Sequence, residues 1–379
     1  MRPPSLTLRV AAPYRRAPNF IEEKGIEMLN RRGILAGAGG AAASAALASG
    51  AGAQGKPSSI VVMTWGGQWG DVIRDNLDAG FEKRTGVKVV QDRSSTPVER
   101  ITKLKIGLSD QKIDCVQLHD GLVPLAIKQG VLEKLDRNSP RFGNVRGMIP
   151  SFWNDYWVPH IYSVLGICWN TKLVKNPPTS YADLWKPEFR GRIVLPEVSH
   201  SIGTYIVPVG ALAAGKGPKD EAAGFEMLKK MTDQRPIWVK DTDSIMNALR
   251  TEEAMVGLLY KSQSWTVKGW NPAIDWAYPK EGGIPYVSGT GIAKGTKNLA
   301  LAEEYLDVSM DPDVQPAFMK AYNYPGTHQG MLSRLTPELQ ARAEFTKEQL
   351  DRLVVLDHDF MSDKRGEWTQ RWNRVVAGG

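Results

Sequence analysis

The chain has 379 residues, of which 42% are hydrophobic and 23% are charged, and these are the proportions of an ordinary globular protein. Its two cysteines, Cys115 and Cys168, exclude a disulfide-rich scaffold and a four-cysteine metal site. The formal net charge of +7 falls to +3 for residues 54–379, because residues 1–53 hold seven of the 48 basic and three of the 41 acidic side chains. So small a charge gives no reason to expect a nucleic-acid partner.

The N-terminal segment has the pattern of an export signal. Arg31 and Arg32 precede an uncharged stretch, residues 33–55, in which 17 of 23 residues are Ala or Gly, and an A-x-A cleavage site ends at Ala53. A retained anchor is the weaker interpretation, because a spanning helix needs about 20 strongly apolar residues. The paired arginines resemble a twin-arginine (Tat) signal, with an ordinary Sec signal as the alternative. We expect cleavage near Ala53 and a periplasmic protein, with Met28 as an alternative start.

The first half of the mature chain alternates strands with helices. β-branched and apolar runs predict strands at 59–64, 87–90 and 115–118. Asp71 is expected to cap a helix that ends at Gly86, and further helices are predicted at 97–108 and 123–129. This order indicates a parallel sheet covered by helices.

A second alternating block follows. Strands are predicted at 163–169, 192–195, 237–240, 254–260, 274–278 and 286–293. Helices are predicted after Ser201 and at 222–231, 244–251 and 299–310, and an amphipathic helix that carries Trp368 and Trp372 is predicted at the C-terminus. The two blocks favour two α/β domains.

The sequence lacks the motifs of common catalytic sites. No GxSxG, HExxH or CxxC occurs, and Gly217 stands where a P-loop needs a hydroxyl. The five histidines have no metal-ligand spacing, so neither a metal nor a cofactor is expected. Cys115 and Cys168 each lie in an apolar strand and are expected to be buried free thiols rather than a bridge.

Aromatic and polar residues follow the predicted strands of both blocks. Trp65 follows the first strand, and further tryptophans, Trp69, Trp265 and Trp270, are expected in loops. In open parallel sheets, ligands lie beyond the carboxyl ends of strands, and aromatic side chains there bind flat faces, alkyl chains or cations. We therefore expect a ligand site between the two domains.

Several segments, in this order along the chain, resemble the extracellular solute-binding proteins of ABC importers, in the spermidine/putrescine-binding branch. They are Trp65-Gly66-Gly67, the run 81–89, Val164-Leu165-Gly166-Ile167-Cys168-Trp169-Asn170-Thr171, the runs 178–185 and 189–193, Pro279-Lys280-Glu281-Gly282-Gly283-Ile284, and Tyr324-Pro325-Gly326. The resemblance implies a two-lobed α/β periplasmic binding protein fold of type II, with two crossover strands forming a hinge. It implies one lobe from 54–162 and 288–330, and the other from 163–287 and 331–379.

The resemblance also implies a function. The protein would capture a small organic solute, such as a polyamine-like amine, an amino acid-like zwitterion or a small carboxylate, in the cleft between the lobes. It would act as a monomer and deliver the solute to the membrane permease of an ABC importer. Such a protein is not an enzyme.

The site expected from these patterns is mainly aromatic and polar, and its residues are Trp65, Gly66, Gly67, His119, Asp120, Glu197, Ser199, His200, Tyr260, Tyr286 and Ser288. By the resemblance, Ser288 stands where the family has an aspartate that binds an amine. A buried ammonium needs charged partners, so losing that carboxylate argues against a long polyamine. A smaller amine, a zwitterion, or a small anion held by the turn after Trp65 remains open.

The competing interpretation is a secreted hydrolase that uses the same cleft. His119 with Asp120, or Glu197 with His200, would be its carboxylate–histidine pair. No nucleophile motif accompanies either pair, so a binding protein is favoured.

Overall fold

A computed structural model describes residues 57–200 and 202–377. The predicted export signal and its cleavage site lie outside the described residues. The described residues belong to one compact unit. No helix in the described ranges is long and apolar enough to cross a membrane.

The described chain forms a single mixed sheet. Its order is β2-β1-β3-β9-β4-β7-β5-β6, with β8 paired to β4 off this path. The strands are β1 (Ser59–Met63), β2 (Lys88–Asp92), β3 (Cys115–His119), β4 (Trp157–Asn170), β5 (Ile193–Pro196), β6 (Ile237–Val239), β7 (Val256–Tyr260), β8 (Ile274–Ala277) and β9 (Ile284–Ile292).

The strands at either end of the sheet are parallel, and its centre is antiparallel. β1 pairs with β2 and β3, and β5 pairs with β6 and β7, all in parallel. Between these groups β9 runs antiparallel to both β3 and β4, and β4 runs antiparallel to β7. Two long antiparallel strands therefore join two parallel groups, as the predicted pair of crossover strands requires.

Helices cover the sheet. They are α1 (Gly67–Val72), α2 (Ala79–Thr85), α3 (Pro97–Gly107), α4 (Val123–Lys128), α5 (Ile206–Ala213), α6 (Glu221–Asp233), α7 (Thr242–Arg250), α8 (Lys261–Trp270), α9 (Leu299–Ser309), α10 (Pro316–Tyr322), α11 (Pro337–Ala343), α12 (Lys347–Asp351) and α13 (His358–Val376). A π-helical segment, Ile73–Asp78, joins α1 to α2.

Local sequence explains where several helices begin and end. Thr96 and Glu99 form a capping box at the start of α3, where Pro97 occupies the first helical position. Gly86 ends α2 in the left-handed conformation, with φ of 71°, which glycine adopts without steric strain. The predicted cap at Asp71 is wrong, because α1 already begins at Gly67 and includes Asp71.

Two main hydrophobic cores lie along the sheet. The first contains residues of β1, β3 and α9, and the second contains residues of β5, β7, α6 and α13. β4 passes from one to the other between Val164, which lies in the first core, and Leu165, which lies in the second. The position of these cores agrees with two lobes, while the exact lobe limits stay a prediction.

Two side-chain predictions have different outcomes. Cys115 and Cys168 are buried free thiols, as expected. The tryptophans expected in loops are on helices instead, because Trp69 lies in α1 and both Trp265 and Trp270 lie in α8. Helix α8 was not predicted.

Candidate functional site

The carboxyl end of β3 lies beside β9, and this pairing creates one side of the site. His119 is the last residue of β3 and is directly opposite Ser288 of β9. Asp120 follows and begins a short 3-10 helix, Asp120–Leu122. Tyr286 lies on the same face of β9 as Ser288, because side chains alternate along a strand. The structure thus brings four predicted site residues together.

The carboxylate of Asp120 is held between the two strands. Its Oδ1 accepts from the backbone N–H of Gly121 at 2.9 Å, and its Oδ2 accepts from that of Val287 at 3.1 Å. Among the described residues Asp120 makes no ion pair with a lysine or arginine, and its basic neighbours are two histidines, His119, with Nδ1 at 3.9 Å from Oδ1, and His358. A fixed carboxylate without a strong counter-cation is suited to binding a positively charged group.

Three tyrosines, Tyr205, Tyr260 and Tyr286, lie near this carboxylate, and a fourth, Tyr324, packs against Tyr286. The rings of Tyr260 and Tyr286 are 5.4 Å apart, and those of Tyr286 and Tyr324 are 5.9 Å apart. Burial raises the pKa of Tyr205, Tyr260 and Tyr286, and the nearby charge of Asp120 raises each of them further. These phenols are therefore neutral at physiological pH, and their rings can face an ammonium group.

The hydroxyl of Tyr260 is buried and has no hydrogen-bond partner in the part of the chain that the structure describes. Tyr260 ends β7, and only 5% of it is exposed. Buried polar groups in proteins nearly always have a partner, so an unpaired hydroxyl beside Asp120 indicates a position that a ligand can satisfy.

The aromatic surface extends from the tyrosines to Trp65. Tyr324 contacts Trp69 at 5.6 Å between ring centres, and Trp69 contacts Trp65 at 6.4 Å. Trp65 lies two residues beyond β1, half-buried, with the guanidinium of Arg100 at 4.4 Å from the centre of its ring. The exposed residues Gly66 and Gly67 follow it at the start of α1.

Ser288 does not offer a free polar group to a ligand. It is fully buried, and its hydroxyl donates to the carbonyl oxygen of Leu118 at 3.3 Å. The position therefore supplies neither a charge nor an open hydrogen-bond donor.

The other predicted residues form a separate turn after β5. Ser199 donates to the carboxylate of Glu197. His200 is buried, its Nδ1 accepts from the backbone of Ile202 at 3.1 Å, and its Nε2 lies 3.3 Å from the hydroxyl of Thr242 at the start of α7. These bonds hold the turn against α7. Because they occupy both ring nitrogens of His200, Glu197 and His200 are not arranged as an acid–base pair for catalysis.

Two cavities border helices that adjoin the candidate site. One of about 170 Å³ lies between α4 and α13 and borders Gly121 and His358, next to Asp120. A larger one of about 300 Å³ is lined by Lys261, Trp265 and Trp276 of α8 and β8. The larger cavity includes none of the predicted site residues.

Comparison with known proteins identifies the family. Residues 76–347 match the family of bacterial extracellular solute-binding proteins. The chain belongs to this family. Among its relatives, the spermidine/putrescine-binding periplasmic protein of Escherichia coli is 26% identical over 79% of this chain and 84% of its own. A gamma-aminobutyric acid-binding protein of Pseudomonas aeruginosa is 25% identical over 87% of this chain and 94% of its own.

Solved structures agree on the fold. An ABC transporter structure from Clostridium perfringens matches with a TM-score of 0.73 at 23% identity, over 84% of this chain and all of that one. The fold is the type II periplasmic binding protein fold, and the chain is a solute-binding protein of an ABC importer, in the polyamine-binding branch. It is not an enzyme, so the hydrolase interpretation has no support.

Three residues of this solute-binding protein lie at the site but were not predicted there. Tyr324 belongs to a segment that carries the family resemblance, which could have indicated it. Tyr205 lies in a short helix after β5, and His358 begins α13, with their rings 6.3 Å apart. Neither residue directly follows a strand, so the expectation that site residues lie just beyond the ends of strands could not identify them.

Proposed function

We propose that the protein binds a small organic solute that carries one ammonium group, in the space between Asp120 and the tyrosines. The observation that supports this is the Asp120 carboxylate, which is fixed by two backbone N–H groups and makes no ion pair with a lysine or arginine of the described chain. The neutral faces of Tyr260 and Tyr286 add attraction for a cation. One carboxylate balances one ammonium.

Ser288 argues against a polyamine. A solute with two or three ammonium groups needs a second acid, and Ser288 offers a hydroxyl that is already bonded to Leu118. A charge-assisted hydrogen bond contributes about 1.5–3 kcal/mol, which corresponds to roughly ten- to hundredfold in affinity. The relatives include proteins named for spermidine and putrescine and one named for gamma-aminobutyric acid, and a single acid favours the second kind of solute.

Calorimetric titration of refolded, ligand-free protein tests the proposal. We expect γ-aminobutyrate or another solute with one ammonium to bind more tightly than putrescine or spermidine. Asp120→Asn should weaken binding by roughly ten- to hundredfold, because it removes the charge but not the shape. Asp313→Asn is the matched control, since its side chain is 74% exposed and pairs with Arg334. Spermidine binding more tightly than every compound with one ammonium would refute the proposal.

We also propose that the protein is exported to the periplasm by the Tat route, is cleaved near Ala53 and acts as a monomer beside its permease. The paired arginines and the weakly hydrophobic stretch of residues 33–55 support the route. Replacing Arg31 and Arg32 by Lys should leave precursor in the cytoplasm. An unchanged periplasmic yield would indicate Sec export instead.

A further inference from the structure

Arg100 is a buried cation directly behind the tryptophan end of the site. It projects from α3 with only 1% of its surface exposed. Its Nη1 donates to the carbonyl oxygen of Gln117 and its Nη2 to that of Thr64, each at 2.7 Å. Its Nε donates to the carbonyl oxygen of Ser95 at 3.3 Å. These bonds fix the guanidinium at the carboxyl ends of β1 and β3.

The charge of Arg100 is not neutralised by a paired carboxylate. Across residues 57–200 and 202–377, no carboxylate forms an ion pair with it, and its bonds go to backbone oxygens. Burial lowers the pKa of Arg100 to about 10, which still leaves it protonated at neutral pH. A buried cation normally has an anionic partner, so this one leaves a positive potential at the end of the site.

The neighbouring acids do not cancel this potential. Asp71 pairs with Arg93 at 2.9 Å and with Arg74 at 2.8 Å. Asp92 attracts the guanidinium from a distance but pairs with Lys103 at 3.1 Å. Each of these carboxylates therefore already has a basic partner of its own.

The positive charge of Arg100 can act on a bound solute through the ring of Trp65. The guanidinium occupies one face of the indole, at 4.4 Å from the ring centre. A second cation on the opposite face would meet a ring whose electrons are already drawn toward Arg100, and it would be repelled by the like charge. The same face is favourable for an uncharged or anionic group.

We propose that Arg100 makes the Trp65 end of the site select a carboxylate, so that the preferred solute is a zwitterion with its ammonium at Asp120 and its carboxylate toward Trp65. This inference rests on the proposed function, which supplies the ammonium at Asp120. Arg100 is a positioning residue, because it acts through Trp65 and the field at the strand ends without touching the solute. The row of rings from Trp65 through Trp69 and Tyr324 separates the two ends.

Three probes of equal chain length test the inference by calorimetry. γ-Aminobutyrate has an ammonium and a carboxylate, butylamine has the ammonium alone, and putrescine has two ammonium groups. In the wild-type protein we expect γ-aminobutyrate to bind about tenfold more tightly than butylamine, because one partly screened attraction between its carboxylate and Arg100 has roughly that effect. Putrescine should bind most weakly, because Arg100 repels its second ammonium. Equal binding of γ-aminobutyrate and butylamine would overturn the inference without any variant.

Variants then assign the preference to the guanidinium. Arg100→Met should remove most of the about tenfold preference for γ-aminobutyrate over butylamine while leaving butylamine binding within about threefold, because Asp120 and the tyrosines that hold the ammonium are unchanged. Lys105→Met is the matched control, since it removes an exposed positive charge from the same helix that pairs with no carboxylate in the described chain, and it should keep the preference. Arg100→Lys retains the charge and should restore the preference, and it serves if the methionine variant does not fold.

The outcomes separate the two proposals. If a folded Arg100→Met protein keeps the wild-type preference, or if Arg100→Lys loses it, Arg100 does not determine it. If the wild-type protein binds putrescine more tightly than both compounds with one ammonium, the proposed function fails as well. Binding of all three amines with no carboxylate preference leaves the proposed function intact and refutes only the role of Arg100.

Discussion

His160 of β4 is buried in an unusual state for a histidine. Only 1% of it is exposed, and neither ring nitrogen has a hydrogen-bond partner among the described residues. It lies at an irregularity of the pairing between β4 and β9, between Pro159 and Ile161, and its ring faces Phe318 at 5.6 Å. Burial lowers the pKa of His160 from 6.5 to about 4, so the residue is neutral in the folded protein.

This burial predicts a pH-dependent stability. Because the unfolded chain takes up a proton near pH 6.5 and the folded chain only near pH 4, stability is fully present above pH 6.5 and is lost as the pH falls toward 4. The loss amounts to about 3 kcal/mol. His160→Phe should remove this part of the dependence without loss of stability at pH 8, since the ring buries no unpaired polar atom. Denaturant titrations of both proteins at several pH values provide the measurement, and parallel pH profiles would contradict the prediction.

At the scale of elements, α13 is attached to the second core by its tryptophans. Trp368 is 1% exposed, and its Nε1 donates to Glu221 of α6 at 2.7 Å. Its ring lies 6.2 Å from Phe225 and 5.9 Å from Phe360. The helix begins at His358 beside the tyrosines, so its anchoring also positions one edge of the candidate site.

Truncating this anchor should strongly destabilise the protein. Trp368→Ala leaves a cavity and removes the indole donor from one oxygen of Glu221, and similar truncations decrease the free energy of unfolding by about 3–5 kcal/mol. Trp270→Ala is the control, because that side chain on α8 is 54% exposed and should change stability by no more than about 0.5 kcal/mol. Equal effects of the two substitutions in denaturant titrations would show that α13 is not anchored through Trp368.

The elements that sequence patterns predicted are those with a regular hydrophobic repeat. The strands β1 and β3 and the helices α3 and α9 agree with prediction within about two residues. Helix α8 was missed because its buried face consists of Ser262, Ser264 and Val267, so its apolar repeat is hidden. The predicted start of β4 at Ser163 was too late, since Pro159 cannot donate to a ladder and argues against a strand.

The candidate site was predictable through the family resemblance, as for Tyr286 and Ser288, or where its residues follow strands. Asp120 and Tyr260 fit that rule, and the pairing of β3 with β9 brings Tyr286 beside Asp120. Tyr205 and His358 come from segments far apart in sequence, and their proximity depends on how α13 packs. The role of each residue in binding stays a prediction.

At the scale of the whole molecule, the two cores meet around the tyrosines. Tyr260 belongs to the second core, and it contacts Tyr286 of the long strand β9, which also pairs with β3 of the first group. Burial of these rings leaves Asp120 with little access to solvent, since its side chain is 17% exposed. We therefore expect a solute to reach Asp120 more readily when the parts of the molecule around the two cores separate.

The strands β4 and β9 are the elements that such a motion would bend. Gly289 of β9 lies against β4 so closely that a Cβ would be 2.4 Å from the carbonyl oxygen of Val158, so the two strands are tightly paired at this point. Closure by hinge bending around two connecting strands moves whole groups of elements and leaves each core intact.

This arrangement predicts that the solute drives closure. In small-angle scattering, we expect the radius of gyration of the ligand-free protein to decrease when γ-aminobutyrate is added to saturation, because the bound solute contacts elements of both cores and stabilises the closed form. Asp120→Asn at a solute concentration just sufficient to saturate the wild-type protein is the control and should stay closer to the profile of the ligand-free protein, since it weakens binding without altering the strands. An unchanged profile for the wild-type protein at a concentration where calorimetry shows full binding would mean that the solute enters without a hinge motion.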